Sequence, residues 1–179
     1  MRGNDQQFTA TPLLEALRIQ CGDSEFGYRM QALFAHVLIR LGAKVLEINA
    51  KGHPDIKVML GQELMLIQVK SAEHAGPWVQ FNLSEADFAG ITSNDRAAGY
   101  LAFLDCATPV SWHVVKSDVA RQLVGRFVPV EGIVAMRDES LSIECSEVFA
   151  QILLSVKDRL NVLTFALLRH RALEGRVLT

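Results

Sequence analysis

Cysteine is scarce, and its pattern excludes two classes of protein. Cys21, Cys106 and Cys145 are odd in number and far apart in 179 residues. No Cys-x-x-Cys pair or Cys/His run accompanies them, so neither a disulfide framework nor a structural zinc site is expected. Three reduced thiols packed as small apolar groups are expected instead. Proline and glycine form no linker, and no segment repeats, so the expectation is one domain over residues 1–179. No apolar run approaches the roughly 18–20 residues of a membrane span. The opening MRGNDQQFTATP lacks the apolar core of a signal peptide. A cytoplasmic protein without membrane association is therefore expected. Neither sign of charge prevails: 18 Lys and Arg against 20 Asp and Glu give a formal charge of −2. Charge alone does not point to nucleic acid, and any phosphate-binding surface must be a local patch. GxSxG, HExxH, GxxxxGK[ST] and GxGxxG are all absent, which removes the commonest hydrolase, zincin and nucleotide-binding readings.

What is present is a folding sequence. Half of the residues are hydrophobic and 21% are charged, which excludes intrinsic disorder. Thr11-Pro12 opens a predicted helix through Ile19. Asp23-Ser24-Glu25 starts another, with Met30, Leu33, Phe34, Val37, Leu38 and Leu41 at helical steps and Gly42 at the stop. Residues 43–48 read as a strand. Residues 55–60 and 63–70 alternate around Gly61-Gln62 and read as a hairpin. Strands are predicted over 78–83, 100–104 and 111–115. Short helices are predicted after Ser84, a plausible N-cap, and over 117–123. A longer amphipathic helix is predicted from Cys145 to Leu160 or Leu168. Its apolar face, with Val148, Phe149, Ile152 and Leu153, serves either its own sheet or a dimer interface. The order predicts an α/β fold with a mixed central sheet flanked by helices.

The hairpin carries the chemistry. With Gly61-Gln62 as a two-residue turn, Leu60 faces Glu63, and the same register sets Asp55 opposite Gln68. Directly opposed residues share a face, with Cβ atoms about 5 Å apart. Lys70, two residues beyond Gln68, points the same way. Ile56, Val58, Leu60, Met65, Ile67 and Val69 form the opposite, apolar face. A carboxylate and an amide oxygen so placed can hold Mg²⁺, or Mn²⁺ in its stead. A metal there activates water and stabilises charge on a phosphate. An adjacent ammonium offsets developing negative charge.

The segment GHPDIKVMLGQELMLIQVKSA resembles the core of the PD-(D/E)XK nuclease superfamily. Pro54-Asp55 matches its first element. Gln68-Val69-Lys70 matches the second, with Gln where an acid is usual, a known variant. GYRMQALFAHVLIRLGAKV resembles the first helix of archaeal Holliday-junction resolvases, and a gapless register sets their helical acid on Gln31. The stretches WVQFNLSEADF and YLAFLD resemble the downstream strands of bacterial members with an IQVK motif. The resemblance covers about residues 25–115, followed by a helical extension over about 145–172.

The resemblance implies a restriction-endonuclease-like fold and Mg²⁺-dependent hydrolysis of DNA, commonly by a homodimer. Asp55, Gln68 and the Val69 carbonyl would hold the metal, Lys70 would act on the attacking water, and Gln31 would complete the site. Two usual carboxylates are Gln here, at 31 and 68. Glu25 reaching in from the start of the helix, phosphate oxygens or a partner subunit would supply the missing donors. Alternatively, the fold is degenerate and only binds DNA or a protein. RNA is a further substrate class. Tyr28, Arg29, Lys51, His53, Ser71 and His74 surround the site in sequence as candidate DNA contacts.

Overall fold

The structure is a computed structural model that describes residues 10–49, 53–71, 83–107, 109–126 and 129–156. The predicted strand over 78–83 lies almost entirely outside the described residues, as do Lys51, His74 and any helix beyond residue 156.

Two helices open the chain, α1 (Ala10–Cys21) and α2 (Asp23–Arg40). Strand β1 (Lys44–Ile48) follows, then the hairpin β2 (Ile56–Leu60) and β3 (Glu63–Ser71). Helix α3 (Glu85–Ile91) precedes β4 (Ala98–Asp105) and β5 (Ser111–Lys116). The short α4 (Ser117–Ala120) runs into a 3-10 turn at Arg121–Leu123, and α5 (Val130–Met136) and α6 (Glu139–Val156) complete the described chain.

The five strands form one sheet in the order β1-β2-β3-β4-β5. All neighbours are antiparallel except β3 and β4, which run parallel. A parallel pair needs a crossover, and α3 lies within it. The fold is thus α/β with a mixed sheet, as the sequence predicts. The hairpin register is also as predicted: Leu60 pairs with Glu63 and Ile56 with Ile67. Gly61 takes φ 60 in the turn, a left-handed conformation that glycine adopts without steric cost.

Strand alternation divides the core in two. On one face Ile56, Val58, Met65, Ile67, Val69, Ala102 and Trp112 pack against α1, α2 and α6. Trp112 sits between Phe34 and Phe149, at centroid distances of 4.4 and 5.5 Å. On the other face Leu66, Leu101, Phe103 and Val115 pack against Ile91, Ala120, Leu123 and Ile133.

Two helical boundaries differ from expectation. Helix α5 was not predicted, and α6 begins at Glu139 rather than Cys145. Its first turns carry Ser142 and Ser146, which break the apolar stripe. Their hydroxyls accept the Val114 and Trp112 N–H groups, both at 2.9 Å. The helix thereby covers the free edge of β5, a backbone row that would otherwise lack partners. Among the described residues no helix is long and apolar enough to cross a membrane.

Candidate functional site

The open end of the β2–β3 hairpin gathers polar side chains. Residues 53–55 make a bend just before β2. The bend is fixed from β1's end: the Asn49 N–H donates to the Asp55 carbonyl at 2.7 Å, and Asn49 Nδ2 donates to the Pro54 carbonyl at 3.1 Å. One step beyond the Ile56–Ile67 pair, the same register brings Asp55 opposite Gln68. Asp55 and Gln68 are each only 4% exposed. The Val69 N–H donates to Asp55 Oδ2 at 2.8 Å, so the carboxylate crosses to the β3 backbone. Burial pushes the Asp55 carboxyl up to about 6, against the Val69 hydrogen bond and the Lys70 ammonium, which favour its charged form.

Gln68 and Lys70 share a face with Leu66, the face covered by α3. This brings in a carboxylate that the sequence reading passed over. Asp87, on α3, is buried, and its Oδ2 accepts from Lys70 Nζ at 2.8 Å. The same oxygen accepts from the Ser84 N–H at 2.9 Å and from Ser84 Oγ at 2.8 Å, while Ser84 Oγ accepts from the Asp87 N–H at 3.1 Å. This is a capping box, legible as Ser-x-x-Asp. Burial raises the Asp87 carboxyl, but the Lys70 and Ser84 hydrogen bonds outweigh it and leave it below the ordinary carboxylate value.

His53 connects the two halves. Its Nδ1 lies 3.2 Å from Gln68 Oε1 and 3.3 Å from Asp87 Oδ1. Both neighbours are acceptors, so Nδ1 carries the proton. The close approach of α3 depends on Gly90, where a Cβ would collide with the His53 side chain. His53 also borders a polar cleft of about 590 Å³ whose lining includes two cations, Lys57 and Arg96, and two acids, Glu47 and Asp95, with Lys57 paired to Glu47 at 3.2 Å.

Asp55 meets β3 at the Val69 N–H, with Gln68 and Lys70 the flanking residues of that strand. His53 belongs to the cluster itself. Gln31 is buried on α2, whose apolar residues pack on the sheet face that carries Ile67 and Val69, and its Oε1 has no hydrogen-bond partner among the described residues. Glu25 is paired with Arg29 at 3.1 Å within the first turns of α2, and Tyr28 is half-buried on the same helix. Ser71 ends β3, half-buried.

Among the described residues no three His, Cys, Asp or Glu side chains form a group able to hold a metal ion. The oxygen donors at the hairpin end are one carboxylate, Asp55, and one amide, Gln68, with Asp87 committed to Lys70 and Ser84. No protein-family model matches the chain, and no curated protein matches it.

Proposed function

We propose that the chain is a divalent-metal-dependent nuclease of the PD-(D/E)XK type that hydrolyses DNA phosphodiester bonds. One observation carries this reading: a deeply buried carboxylate, Asp55, accepts from the Val69 N–H, between Gln68 and Lys70 on β3. Burying a carboxylate with a single backbone N–H to receive it opposes folding. Groups perturbed in this way concentrate at functional sites.

The residues present fit Mg²⁺ or Mn²⁺. Mg²⁺ prefers oxygen donors, keeps several waters and takes one or two carboxylates together with substrate phosphates. Asp55, Gln68 Oε1 and the Val69 carbonyl are the groups that would hold it. When bound, the ion supplies Lewis acidity at the scissile phosphate and lowers the pKa of water. The chain's own residues do the rest. Lys70 presents an ammonium that donates hydrogen bonds to the phosphate or the attacking water and offsets the negative charge that develops on phosphorus oxygens. The polar cleft beside His53 is where a strand of nucleic acid would lie. The near-neutral overall charge makes binding depend on local cations, and therefore on salt.

The test is nicking of supercoiled plasmid by purified Asp55→Ala and Lys70→Ala beside the unaltered chain. Each substitution is expected to reduce the cleavage rate at least about 100-fold. Metal-dependent cleavage that survives both would refute this site.

A further inference from the structure

We infer that Asp87 is a positioning residue of this reaction centre, holding the Lys70 ammonium and the His53 ring in place from α3. The reaction it serves rests on the nuclease reading above; what it holds rests on geometry.

Three features set Asp87 apart from an ordinary cap. First, its neighbours Glu85 and Ala86 are exposed, whereas Asp87 is turned onto the sheet and its side chain is 6% exposed. A capping box needs only the Ser84 N–H and a solvated acid. Second, the Asp87 oxygens divide their partners. Oδ2 takes Lys70 Nζ with the two Ser84 donors, and Oδ1 faces His53 Nδ1. Third, α3 is fitted to this task. Asp87 and Gly90 are three residues apart, hence on one helix face, and that face meets Lys70 at one point and His53 at the other.

The consequence concerns freedom. Lys70 ends in a compact charge on a flexible four-carbon stem. A fixed carboxylate 2.8 Å away removes that freedom. The same His53 Nδ1 also faces Gln68 Oε1, so one ring nitrogen stands between the Asp87 carboxylate and the amide oxygen. Lys70, Asp87, His53 and Gln68 form one connected network. Its carboxylate comes from α3, on the face of the sheet opposite Gln31. Because Oδ2 already takes three donors, Asp87 orients other groups and does not itself touch the reacting atoms.

Asp87→Asn tests this, because the amide oxygen still accepts the Ser84 N–H and the helix cap survives. Two readouts are needed. In plasmid cleavage, kcat is expected to fall about 100-fold with KM within about threefold of the parent and the urea midpoint little changed. In a brief treatment with acetic anhydride followed by mass spectrometry, Lys70 is expected to acylate more slowly than the exposed Lys44 and Lys116 in the parent, and several-fold faster in Asp87→Asn. Retained kcat in the variant, or unchanged Lys70 acylation, overturns the inference. Should the parent cleave nothing, the nuclease reading falls, and the acylation comparison alone decides whether Asp87 holds Lys70. Should Asp87→Asn not fold, a parent Lys70 as reactive as Lys44 overturns it.

Discussion

Asp55 sets burial against charge. Its carboxyl is pushed up to about 6, chiefly by burial, so near pH 7 the ionised form is held where water is scarce. Asparagine has nearly the same shape and still accepts the Val69 N–H, without the charge. Asp55→Asn is therefore expected to stabilise the metal-free chain by about 1–2 kcal/mol at pH 7 while removing cleavage. Urea unfolding in EDTA measures this, and a destabilised Asp55→Asn would show that the buried charge is already compensated. Asp55, Gln68 and Lys70 were legible in the sequence because a two-residue turn fixes register and alternation fixes facing. Neither rule needs knowledge of the rest of the fold. Asp87 was not, since its contact spans 17 residues and depends on how α3 is rotated on the sheet. The Ser-x-x-Asp signal marked a helix start and said nothing of where the acid points. Gln31 illustrates the converse. A matched pattern placed it at the site, but the side of the sheet that α2 covers decides its surroundings.

Among the elements, the β4–β5 pair has its own polar contact away from the hairpin. Asp105 Oδ2 lies 3.9 Å from His113 Nε2, and Asp105 Oδ1 accepts from the Ala107 N–H at 2.9 Å. The His113 imidazole beside it, aided by the Ala107 N–H, holds the Asp105 carboxyl below its ordinary value in spite of burial. The folded state therefore releases this proton at lower pH than the unfolded chain does. The stabilisation is fully present above about pH 4, near the unfolded value, and is lost as pH falls through the depressed folded value. The parent is expected to be the more stable of the two at pH 6, and its advantage over Asp105→Asn to shrink toward pH 3. A gap that stays constant over that range would contradict this origin. The helices on this side explain the missed boundaries. Helix α5 is seven residues long, too short for a periodic signal. The start of α6 hides its identity because Ser142 and Ser146 are spent on the β5 edge. Asp138 before Glu139 was the available sign, and it accepts from the Leu141 N–H at 3.1 Å.

At the scale of the whole molecule, the chain builds a single mixed sheet with one core on each face. That architecture was legible because hairpins pair sequence neighbours and the one parallel step has a helix to cross over. The two faces divide the labour. The face under α1, α2 and α6 is apolar and supplies most of the buried hydrophobic residues. The face under α3 keeps a polar corner where β2 and β3 open. His53 links that corner to the neighbouring polar cleft. The most direct test of the central claim is to incubate the unaltered chain with supercoiled plasmid, a four-way DNA junction, single-stranded DNA and RNA, in Mg²⁺, in Mn²⁺ and in EDTA. Cleavage of at least one DNA substrate with either metal, and none in EDTA, is the predicted result. DNA left intact in both metals by a protein shown to be folded would contradict the claim.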